Sequence, residues 1–283
     1  MRIAINGFGR VGRHITRALI GQVVQAHNDL KLIAVNDLAP IEHSAHLLKY
    51  DSIYGQFHEP ISTRGDEIMV GDESIRYFCE PDPRKASWRE LGIDLVLECT
   101  GCFASGEKSS SHLDAGATRV LISQPATGVD KTIVFGVNHE TLLDSDLIIS
   151  NASCTTNCLA PLAKVINDHF EITEGLMITT HAYTNDQILL DVDHSDLYRA
   201  RSAALSMIPT KTGAASAVGD VLPELKGKLD GMAIRVPTPT VSLLDFTFLT
   251  KKSFEIRELN EVLFKASKTN LRNVLEVNNI PLV

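Results

Sequence analysis

The sequence lacks the features of membrane, nucleic-acid-binding and secreted proteins. No apolar run approaches the ~18–20 residues that a transmembrane helix needs, and the short apolar run before Gly7 does not resemble a secretory signal. Lys and Arg number 27 against 35 Asp and Glu, which gives a net charge of −8. Non-specific nucleic-acid binding is therefore a poor hypothesis. We expect no nucleic-acid partner, no membrane and a cytoplasmic location.

The cysteine content and the composition indicate a folded protein without a disulfide framework. Five cysteines, an odd number in a chain of 283 residues, do not suggest a disulfide framework. Hydrophobic residues at 44% and charged residues at 22% exclude a disordered chain. At ~150 residues per domain, this length predicts about two domains.

The first half alternates apolar runs with helical spacing, which predicts a Rossmann-type doubly wound α/β domain. The run Asp94–Cys99 is continuously apolar apart from its acids, as a strand of a parallel sheet requires. The other predicted strands are Arg2–Ile5, Leu30–Val35, a pair within Glu67–Phe78, Arg119–Ile122 and Leu147–Ser150, and the predicted helices are Arg10–Gln25 and Glu42–Tyr50.

The second half predicts an α+β catalytic domain with a mostly antiparallel sheet, because strand-like runs are separated by long connections. We predict a dinucleotide-binding domain over residues 1–152 and a catalytic domain over residues 153–283. The predicted helices are Thr155–Phe170, Gly213–Leu222 and Glu255–Ser267, and the predicted strands are Leu176–His181, Ala233–Val236 and Val241–Thr250.

A glycine-rich turn follows the first predicted strand. Gly7, Gly9 and Gly12 form the pattern G-x-G-x-x-G, in which the glycines permit a tight turn, a close approach of the backbone to a pyrophosphate, and close helix–strand packing. Asp37 ends the next strand and can accept hydrogen bonds from a ribose diol, which favours NAD over NADP. The alternatives are a glycine turn without a ligand and Asp37 as a helix-cap residue.

A cysteine with an accessible setting begins the helix of the second domain. Cys154 lies near the predicted helix N-terminus, where the positive end of the dipole lowers a thiol pKa. His181 ends an apolar strand, and a thiol paired with an imidazole is an activated nucleophile. The alternative for Cys154 is an inert buried cysteine, and Cys158, one turn further on, is predicted to be a small buried residue.

A metal or redox site is a competing hypothesis from a different class. Cys99 and Cys102 have the C-x-x-C spacing, and Cys154 with Cys158 would complete four thiolates. The first pair, however, ends a buried strand, and the second lies within one helical turn. We therefore expect no metal, and elemental analysis for zinc tests that expectation.

Four motifs in one order resemble the glyceraldehyde-3-phosphate dehydrogenase family. The resemblance runs along essentially the whole chain. The motifs are Ala4–Arg10, Ser150–Cys158, Thr180–Gln187 and Arg235–Pro239, with His46–Asp51 and Leu222–Leu229 between or beside them.

The resemblance implies an NAD-dependent phosphorylating aldehyde dehydrogenase of glycolysis and gluconeogenesis. It would oxidise glyceraldehyde 3-phosphate to 1,3-bisphosphoglycerate with NAD and inorganic phosphate. Cys154 would form the thiohemiacetal and thioester, and His181 would be the general base. The alternatives are an erythrose-4-phosphate dehydrogenase and a truncated NAD-binding relative without full activity.

The family motifs also imply positions for the cofactor and for two anions. Arginine suits anion binding because its planar fork holds a phosphate through two hydrogen bonds, although Arg201 is easily confused with Arg199 in this assignment. The implied cofactor residues, besides the glycines and Asp37, are Arg10, Val11, Thr100, Gly101, Phe103 and Ser123. Those implied near the substrate phosphate are Thr184, Asp186, Arg199 and Arg235, and those near the attacking phosphate are Ser153, Thr155, Thr212 and Gly213.

Two further expectations come from the family. It assembles as a homotetramer, with the segment around Tyr183–Arg201 near a neighbour's cofactor. Relatives continue beyond Val283, so we expect that this chain lacks a C-terminal segment that holds the nicotinamide amide and packs on the cofactor domain.

Overall fold

A computed structural model describes residues 1–21 and 29–282 of the chain. The chain folds into two compact units, each of which is described by itself. The first unit comprises Met1–Thr132 and Leu142–Ala152, and the second comprises Ile133–Thr141 and Ser153–Val283.

The first unit is built on a large, mainly parallel sheet. The strands are β1 (Arg2–Asn6), β2 (Lys31–Asn36), β3 (Tyr50–Asp51), β4 (Gly55–Gln56), β5 (Ile61–Arg64), β6 (Glu67–Val70), β7 (Glu73–Phe78), β8 (Leu95–Glu98), β9 (Arg119–Ile122), β10 (Lys131–Thr132) and β11 (Ile148–Ser150). The helices are α1 (Arg10–Ile20), α2 (Ile41–Lys49) and α3 (Gly106–Asp114), with a 3₁₀ turn at Pro83–Lys85.

The strand order of this sheet is β10-β11-β9-β8-β1-β2-β7-β6-β5. Pairing is parallel from β10 to β7 and antiparallel between β7, β6 and β5. The short strands β3 and β4 pair with each other. In this order the chain crosses from β1 to β2 on one side and to β8 on the other. The carboxyl ends of β1, β2 and β8 therefore flank the point where the order reverses, where doubly wound sheets bind ligands.

Both faces of the sheet are covered. Along β1, Ile3 and Ile5 belong to one buried cluster, while Ala4 between them belongs to another. Successive side chains of a strand point to opposite faces, so the two clusters lie on opposite sides of the sheet. Trp88 lies in the second cluster, where Ala4 and Ala34 provide the small side chains beside it.

The second unit has a smaller, mostly antiparallel sheet. Its order is β13-β14-β12-β15, in which β12 pairs with β14 in parallel and the other pairs are antiparallel. The strands are β12 (Ile172–Ala182), β13 (Ile208–Lys211), β14 (Leu229–Val236) and β15 (Leu243–Thr250). The helices are α4 (Cys154–Phe170), α5 (Val218–Val221) and α6 (Ile256–Lys268), with 3₁₀ turns at His139–Thr141 and Pro223–Leu225.

The predicted fold class is confirmed, with local corrections. The predicted helix Arg10–Gln25 ends at Ile20 as α1, and its part at 22–25 lies outside the described residues. The predicted helix Gly213–Leu222 is reduced to the single turn α5. Helix α3 was not predicted, and the strands β12 and β14 begin several residues earlier than the apolar runs indicate. Within the described ranges, no helix is long and apolar enough to cross a membrane.

Candidate active site

The candidate nucleophile lies at the first residue of α4. Ser153 is the N-cap, and its Oγ accepts a hydrogen bond from the backbone N–H of Thr156 at 3.0 Å. This cap fixes the first turn, whose remaining N–H groups have no intrahelical acceptor. Cys154 follows the cap and is exposed, so its thiol lies at the positive end of the helix.

His181 is the partner of the thiol. It is the penultimate residue of β12, is 8% exposed, and brings Nε2 to 3.2 Å from Sγ of Cys154. The hydrogen bond with His181 lowers the pKa of the Cys154 thiol, partial burial opposes this, and the charge of His181 and hydrogen bonds from Thr155 lower the pKa further. This pair is therefore arranged to present a thiolate.

The far side of the imidazole is also occupied. Nδ1 of His181 lies 2.6 Å from the carbonyl oxygen of Ala182 and 2.8 Å from Nη1 of Arg235. Arg235 reaches this position because its backbone is directly opposite His181 in the β12–β14 register. The ring is thus held at both nitrogens.

A second guanidinium lies near the first. Arg199 donates through Nε to Oγ1 of Thr210 at 3.0 Å and forms an ion pair with Asp186. Burial is the main cause that lowers the pKa of Arg235, and the charge of Arg199 lowers it further, so the two guanidinium groups interact electrostatically. Two cations held together favour an anion between them. Thr184 Oγ1 lies 3.5 Å from Nη1 of Arg235 and joins this group.

Arg199 and Arg201 have different partners, because Arg199 contacts the carboxylate of Asp186 and Arg201 does not. Arg201 is exposed and pairs with Asp191 at 3.0 Å. Arg199, which is partly buried, is the arginine that lies with Thr210 and Asp186. The structure thus separates the two arginines that the sequence left open to confusion.

A hydroxyl-rich segment is tied to the first turn of α4. Thr156 Oγ1 donates to the carbonyl oxygen of Ala214 at 3.2 Å, and the backbone N–H of Ala214 donates to Oγ1 of Thr212 at 3.2 Å. Gly213 lies between these residues. Ser153 and Thr155 flank Cys154 at the start of α4. The hydrogen bond from Thr156 to Ala214 therefore joins this turn to the segment that contains Thr212 and Gly213.

Two side chains of the motifs Thr180–Gln187 and Arg235–Pro239 carry buried polar atoms without a partner among the described residues. These atoms are Nε of Arg235 and both amide atoms of Gln187. An unsatisfied buried polar group costs free energy, and such groups cluster at functional sites. Gln187 was not predicted, although it belongs to the motif Thr180–Gln187.

In the first unit, the glycine-rich turn adopts the conformation that its spacing predicts. Gly7 has φ of 92°, and a Cβ there would lie 2.5 Å from the backbone nitrogen of Thr100. A Cβ on Gly12 would lie 2.3 Å from the carbonyl oxygen of Gly7. A Cβ on Gly9 would meet nothing within 4 Å. The fold itself requires Gly7 and Gly12, whereas Gly9 leaves the backbone open to a ligand.

The remaining predicted cofactor residues of this unit follow the neighbouring strands. Thr100 and Gly101 follow β8 after one intervening residue, Cys99, and Gln124 Nε2 donates to the carbonyl oxygen of Gly101 at 3.1 Å. Ser123 follows β9, and its backbone N–H donates to the carbonyl oxygen of Glu98 at 3.0 Å. Phe103 is partly buried, and its ring packs near His112.

Two family models match most of the chain. A family model described as the NAD binding domain of glyceraldehyde 3-phosphate dehydrogenase matches residues 1–106, and one described as the C-terminal domain of the same enzyme matches residues 153–283. The glyceraldehyde-3-phosphate dehydrogenase of Xanthobacter flavus is 52% identical over 283 residues, which cover all of this chain and 84% of the relative. The chain belongs to the glyceraldehyde-3-phosphate dehydrogenase family.

Other members of the family are similarly close. The plasmid-encoded glyceraldehyde-3-phosphate dehydrogenase of Cupriavidus necator is 50% identical over 284 residues, and the enzyme of Zymomonas mobilis is 50% identical over 285 residues. Each alignment covers all of this chain and 84% of the relative. As a member of this family, the chain is an NAD-dependent oxidoreductase.

The glycine-rich turn fits NAD on structural grounds. Helix α1 begins at Arg10 with Gly9 as its N-cap, and no side chain in the described region caps the backbone N–H groups of its first turn. Asp37 accepts from the backbone N–H groups of Phe8 at 2.6 Å and Ala39 at 2.9 Å. A carboxylate has about four acceptor positions, which leaves room for a ribose diol.

The side chains of the first turn of α1 differ in setting. The guanidinium of Arg10 forms an ion pair with Asp51 at 2.9 Å, so its side chain has a protein partner. Val11 is 47% exposed, which leaves an apolar surface at the helix N-terminus. Asp37 anchors the glycine turn through Phe8 and is not a cap of α2, whose N-cap is Pro40.

One cysteine prediction was wrong. Cys158 is exposed and not buried. Partial desolvation and the neighbouring charge of Cys154 raise the pKa of its thiol. Burial raises the pKa of Cys99 to about 12, and Cys102 is exposed. Over residues 1–21 and 29–282, no group of three or more His, Cys, Asp or Glu side chains is placed to hold a metal ion.

Proposed function

We propose that Cys154 and His181 carry out the oxidation of glyceraldehyde 3-phosphate to 1,3-bisphosphoglycerate, with NAD and inorganic phosphate. The observation that supports this assignment is the 3.2 Å contact between Sγ of Cys154 and Nε2 of His181 at the N-terminus of α4. The thiolate attacks the aldehyde carbon and gives a thiohemiacetal, whose oxygen faces the N–H groups of the first helical turn. His181 removes the hydroxyl proton as the thioester forms.

NAD supplies the acceptor for the hydride that leaves the substrate carbon. Gly7, Gly9, Gly12 and the backbone of Arg10 hold its pyrophosphate and Asp37 its ribose diol, and Val11, Thr100, Gly101, Phe103 and Ser123 complete the cofactor site. Inorganic phosphate then attacks the thioester carbon, and the acyl phosphate leaves as the thiolate of Cys154 returns.

Two phosphate groups are bound by different side chains in this proposal. Arg235, Arg199 and Thr184 hold the phosphate of the aldehyde, and Asp186 orients Arg199 through their ion pair. Nε of Arg235 has no hydrogen-bond partner in the described part of the chain, which supports a role in anion binding. Ser153, Thr155, Thr212 and Gly213 hold the attacking phosphate near the thioester, with Thr156–Ala214 as the link that keeps these segments together.

The decisive experiment measures NADH formation with and without inorganic phosphate. We expect turnover of glyceraldehyde 3-phosphate to require NAD, phosphate and Cys154, and Cys154→Ser to lose the thioester and essentially all turnover. Phosphate-independent turnover contradicts the acyl-phosphate product. Faster turnover of erythrose 4-phosphate contradicts the triose assignment, and substantial activity of the Cys154→Ser variant contradicts the nucleophile.

The domain organisation is part of the same proposal. Residues 1–152 form the NAD-binding domain and residues 153–283 form the catalytic domain. The family matches at 1–106 and 153–283 support this division, as does the break between the two compact units after Ala152, although the short segment Ile133–Thr141 belongs to the second unit. Limited proteolysis, with mass spectrometry of the fragments, tests it.

We also propose a homotetramer in the cytoplasm. The segment 189–207 exposes large apolar side chains that a neighbouring subunit would cover, and exposed apolar patches mark such interfaces. A mass near four times 31.0 kDa in light scattering supports the tetramer, whereas a monomer overturns it. Cell fractionation tests the location. The most exposed side chains of this segment are Leu189 at 76%, Leu190 at 72%, Leu197 at 77%, Leu205 at 80% and Met207 at 70%.

A further inference from the structure

A buried carboxylate lies beneath the proposed cofactor site, and the proposed reaction does not use it. Glu98 is the last residue of β8 and is 1% exposed. It ends an otherwise apolar strand and directly precedes the segment that contains Thr100 and Gly101. A carboxylate in such a position costs free energy unless hydrogen bonds satisfy it.

The carboxylate of Glu98 is satisfied by four donors. Oε1 accepts from the backbone N–H of Thr100 at 2.7 Å and from its hydroxyl. Oε2 accepts from Nδ2 of Asn6 at 2.6 Å and lies 3.0 Å from Nε2 of His112. A carboxylate accepts about four hydrogen bonds, so these contacts fill its capacity.

The protonation of His112 follows from its other neighbour. The indole nitrogen of Trp88, which can only donate, lies 3.2 Å from Nδ1 of His112. Nδ1 is therefore an acceptor, and the single proton of the neutral ring is on Nε2, where it is donated to Glu98. All four donors to the carboxylate are then neutral groups, and only an acceptor suits the position of Glu98.

The hydrogen bond from Asn6 to Glu98 is the last in a series of hydrogen bonds that all run in the same direction. The backbone N–H of Glu80 donates to Oδ1 of Asn36 at 2.8 Å, Nδ2 of Asn36 donates to Oδ1 of Asn6 at 2.7 Å, and Nδ2 of Asn6 donates to Glu98. Each amide points one way because the chain ends on an acceptor. Asn6 and Asn36 are 2% and 4% exposed, so water does not replace these bonds.

The members of this network are the immediate neighbours of the proposed cofactor residues. Asn6 precedes Gly7, Asn36 precedes Asp37, and Thr100 is itself in the network. We propose that Glu98, as an acceptor-only group, is a positioning residue for NAD binding that holds these three segments in register. This inference rests on the cofactor site of the proposed function and extends it to a side chain that does not touch the cofactor.

The substitution Glu98→Gln tests the role with almost no change in shape. An NH₂ on the side of Oε2 faces Nδ2 of Asn6 and Nε2 of His112, which both donate. An NH₂ on the side of Oε1 faces the backbone N–H of Thr100, and the hydroxyl of Thr100 must turn from donor to acceptor. We expect the Kd for NAD, measured by titration calorimetry, to rise about tenfold or more, because each lost hydrogen bond to a charged group is costly. The stoichiometry and the alkylation rate of Cys154 without NAD should stay unchanged.

The matched control is Asp146→Asn in the same unit. Asp146 is also a buried carboxylate, 8% exposed, and accepts from the backbone N–H of Leu143 at 2.8 Å, away from the three segments. We expect the Kd for NAD of this variant to stay within about twofold of the parent value. An equal loss of affinity in both variants would show a general effect of the buried charge and would overturn the proposal.

The other outcomes separate this inference from the proposed function. If the parent protein does not bind NAD, the proposed function fails. If the parent binds NAD and Glu98→Gln binds within about twofold of it, the positioning role alone is wrong. A lower stoichiometry with an unchanged Kd means that Glu98 only supports folding, which also overturns the proposal.

A second pair of variants decides the matter if Glu98→Gln does not fold. His112→Gln keeps a donor toward Glu98 and an acceptor toward Trp88, whereas His112→Leu removes both. We expect His112→Leu to weaken NAD binding by about fivefold and His112→Gln to stay within about twofold of the parent. Equal Kd values in the two variants contradict the proposal.

Discussion

Nη1 of Arg235 lies 2.8 Å from Nδ1 of His181, and both nitrogens lie within 3.0 Å of the carbonyl oxygen of Ala182. Nδ1 either donates to this carbonyl or accepts from the guanidinium, according to the tautomer of the ring, and the guanidinium also donates to the carbonyl. On the other edge of the ring, Nε2 lies 3.2 Å from Sγ of Cys154. In our proposal the same guanidinium binds the phosphate of the aldehyde. One side chain, that of Arg235, therefore both binds the substrate phosphate and orients the general base His181.

Arg235→Gln should separate these two tasks. We expect kcat/KM for glyceraldehyde 3-phosphate to fall by about a hundredfold, because a charge-assisted hydrogen bond to a phosphate is lost. For unphosphorylated glyceraldehyde the loss should be several times smaller. Steady-state kinetics on both aldehydes measure the difference.

The control for this variant is Arg257→Gln. Arg257 is exposed on α6 and pairs with Glu261, so its removal should leave both kcat/KM values close to the parent values. Equal losses of Arg235→Gln on the two aldehydes would mean that Arg235 acts only on the orientation of His181.

The pH dependence of thiol alkylation should report the Cys154–His181 pair. Because the hydrogen bond with His181 lowers the pKa of Cys154, the thiolate that reacts with iodoacetamide persists at lower pH than for an ordinary cysteine. His181→Asn should raise that pKa and slow alkylation at pH 7 by about tenfold, with the two rates converging above pH ~9.

Cys158 supplies the control for the alkylation experiment. Its thiol has a raised pKa and should react slowly at neutral pH. Cys158→Ser should therefore keep the fast reaction of the parent, and Cys154→Ser should abolish it. If the fast reaction survives in Cys154→Ser, another cysteine is the reactive thiol and the assignment of Cys154 is wrong.

The glycines of the turn should respond differently to alanine. A Cβ at Gly9 meets nothing within 4 Å, so Gly9→Ala should cost less than about 1 kcal/mol of stability. It should nevertheless raise the Kd for NAD by about tenfold, because the methyl group would lie where the pyrophosphate approaches the backbone. Thermal unfolding and titration calorimetry give the two quantities.

Gly12→Ala provides the contrast for Gly9→Ala. Its Cβ would lie 2.3 Å from the carbonyl oxygen of Gly7, so we expect a loss of roughly 1–3 kcal/mol in the free energy of unfolding. If Gly9→Ala destabilised the protein as strongly and bound NAD normally, the open space at Gly9 would not serve a ligand.

Because of Asp51, the free energy of unfolding should depend on pH in the acidic range. Burial alone would raise its pKa, but hydrogen bonds from the backbone of Tyr54 and Ile53 and from Arg10 lower it to about 2, against an ordinary value of 3.8. A carboxyl with a depressed pKa stabilises the folded state above the unfolded pKa, and this contribution is lost as pH falls from about 4 to about 2.

Asp51→Asn should therefore cost roughly 2 kcal/mol at pH 7, and the cost should shrink as the pH is lowered through this range. Urea unfolding at a series of pH values measures it. Asp144→Asn is the control, since Asp144 is fully exposed in its pair with Arg119 and should change stability by less than about 1 kcal/mol at any pH. A cost of Asp51→Asn that does not depend on pH would contradict the assignment.

Local patterns were enough to predict much of the first unit. The buried strands β1, β8 and β9 coincide with apolar runs because a strand covered on both faces must be apolar throughout. The glycine spacing predicts the turn after β1 because close contacts require two of its glycines. A Cβ on Gly12 would meet the carbonyl oxygen of Gly7, and a Cβ on Gly7 would meet the backbone of Thr100. Cys154 could be assigned to a helix N-terminus because the cap at Ser153 is a local signal.

The elements that were missed depend on other interactions. Helix α3 has little apolar periodicity, and its Ser110 and Ser111 donate to carbonyl oxygens three residues earlier, at 2.7 Å each. Its N-cap Ser105 is the one sequence signal that could have revealed it.

The contacts that complete the site join distant parts of the chain. Arg235 and His181 are 54 residues apart and meet only because β14 pairs with β12 in parallel. Glu98 and Asn6 are 92 residues apart. No sequence period encodes such pairings, although a single acid at the end of an apolar strand, such as Glu98, is itself an unusual feature of a sequence.

Trp88 gives the chain an internal spectroscopic reporter. It is the single tryptophan in the sequence, is fully buried in the first unit, and packs edge-to-face on Phe78 at 5.7 Å while it donates to His112. Its fluorescence therefore senses the first unit and the Glu98 network, whereas the reactivity of Cys154 senses the second. The unmodified protein thus carries one optical and one chemical probe, and the loss of each unit during unfolding can be timed without introducing a label.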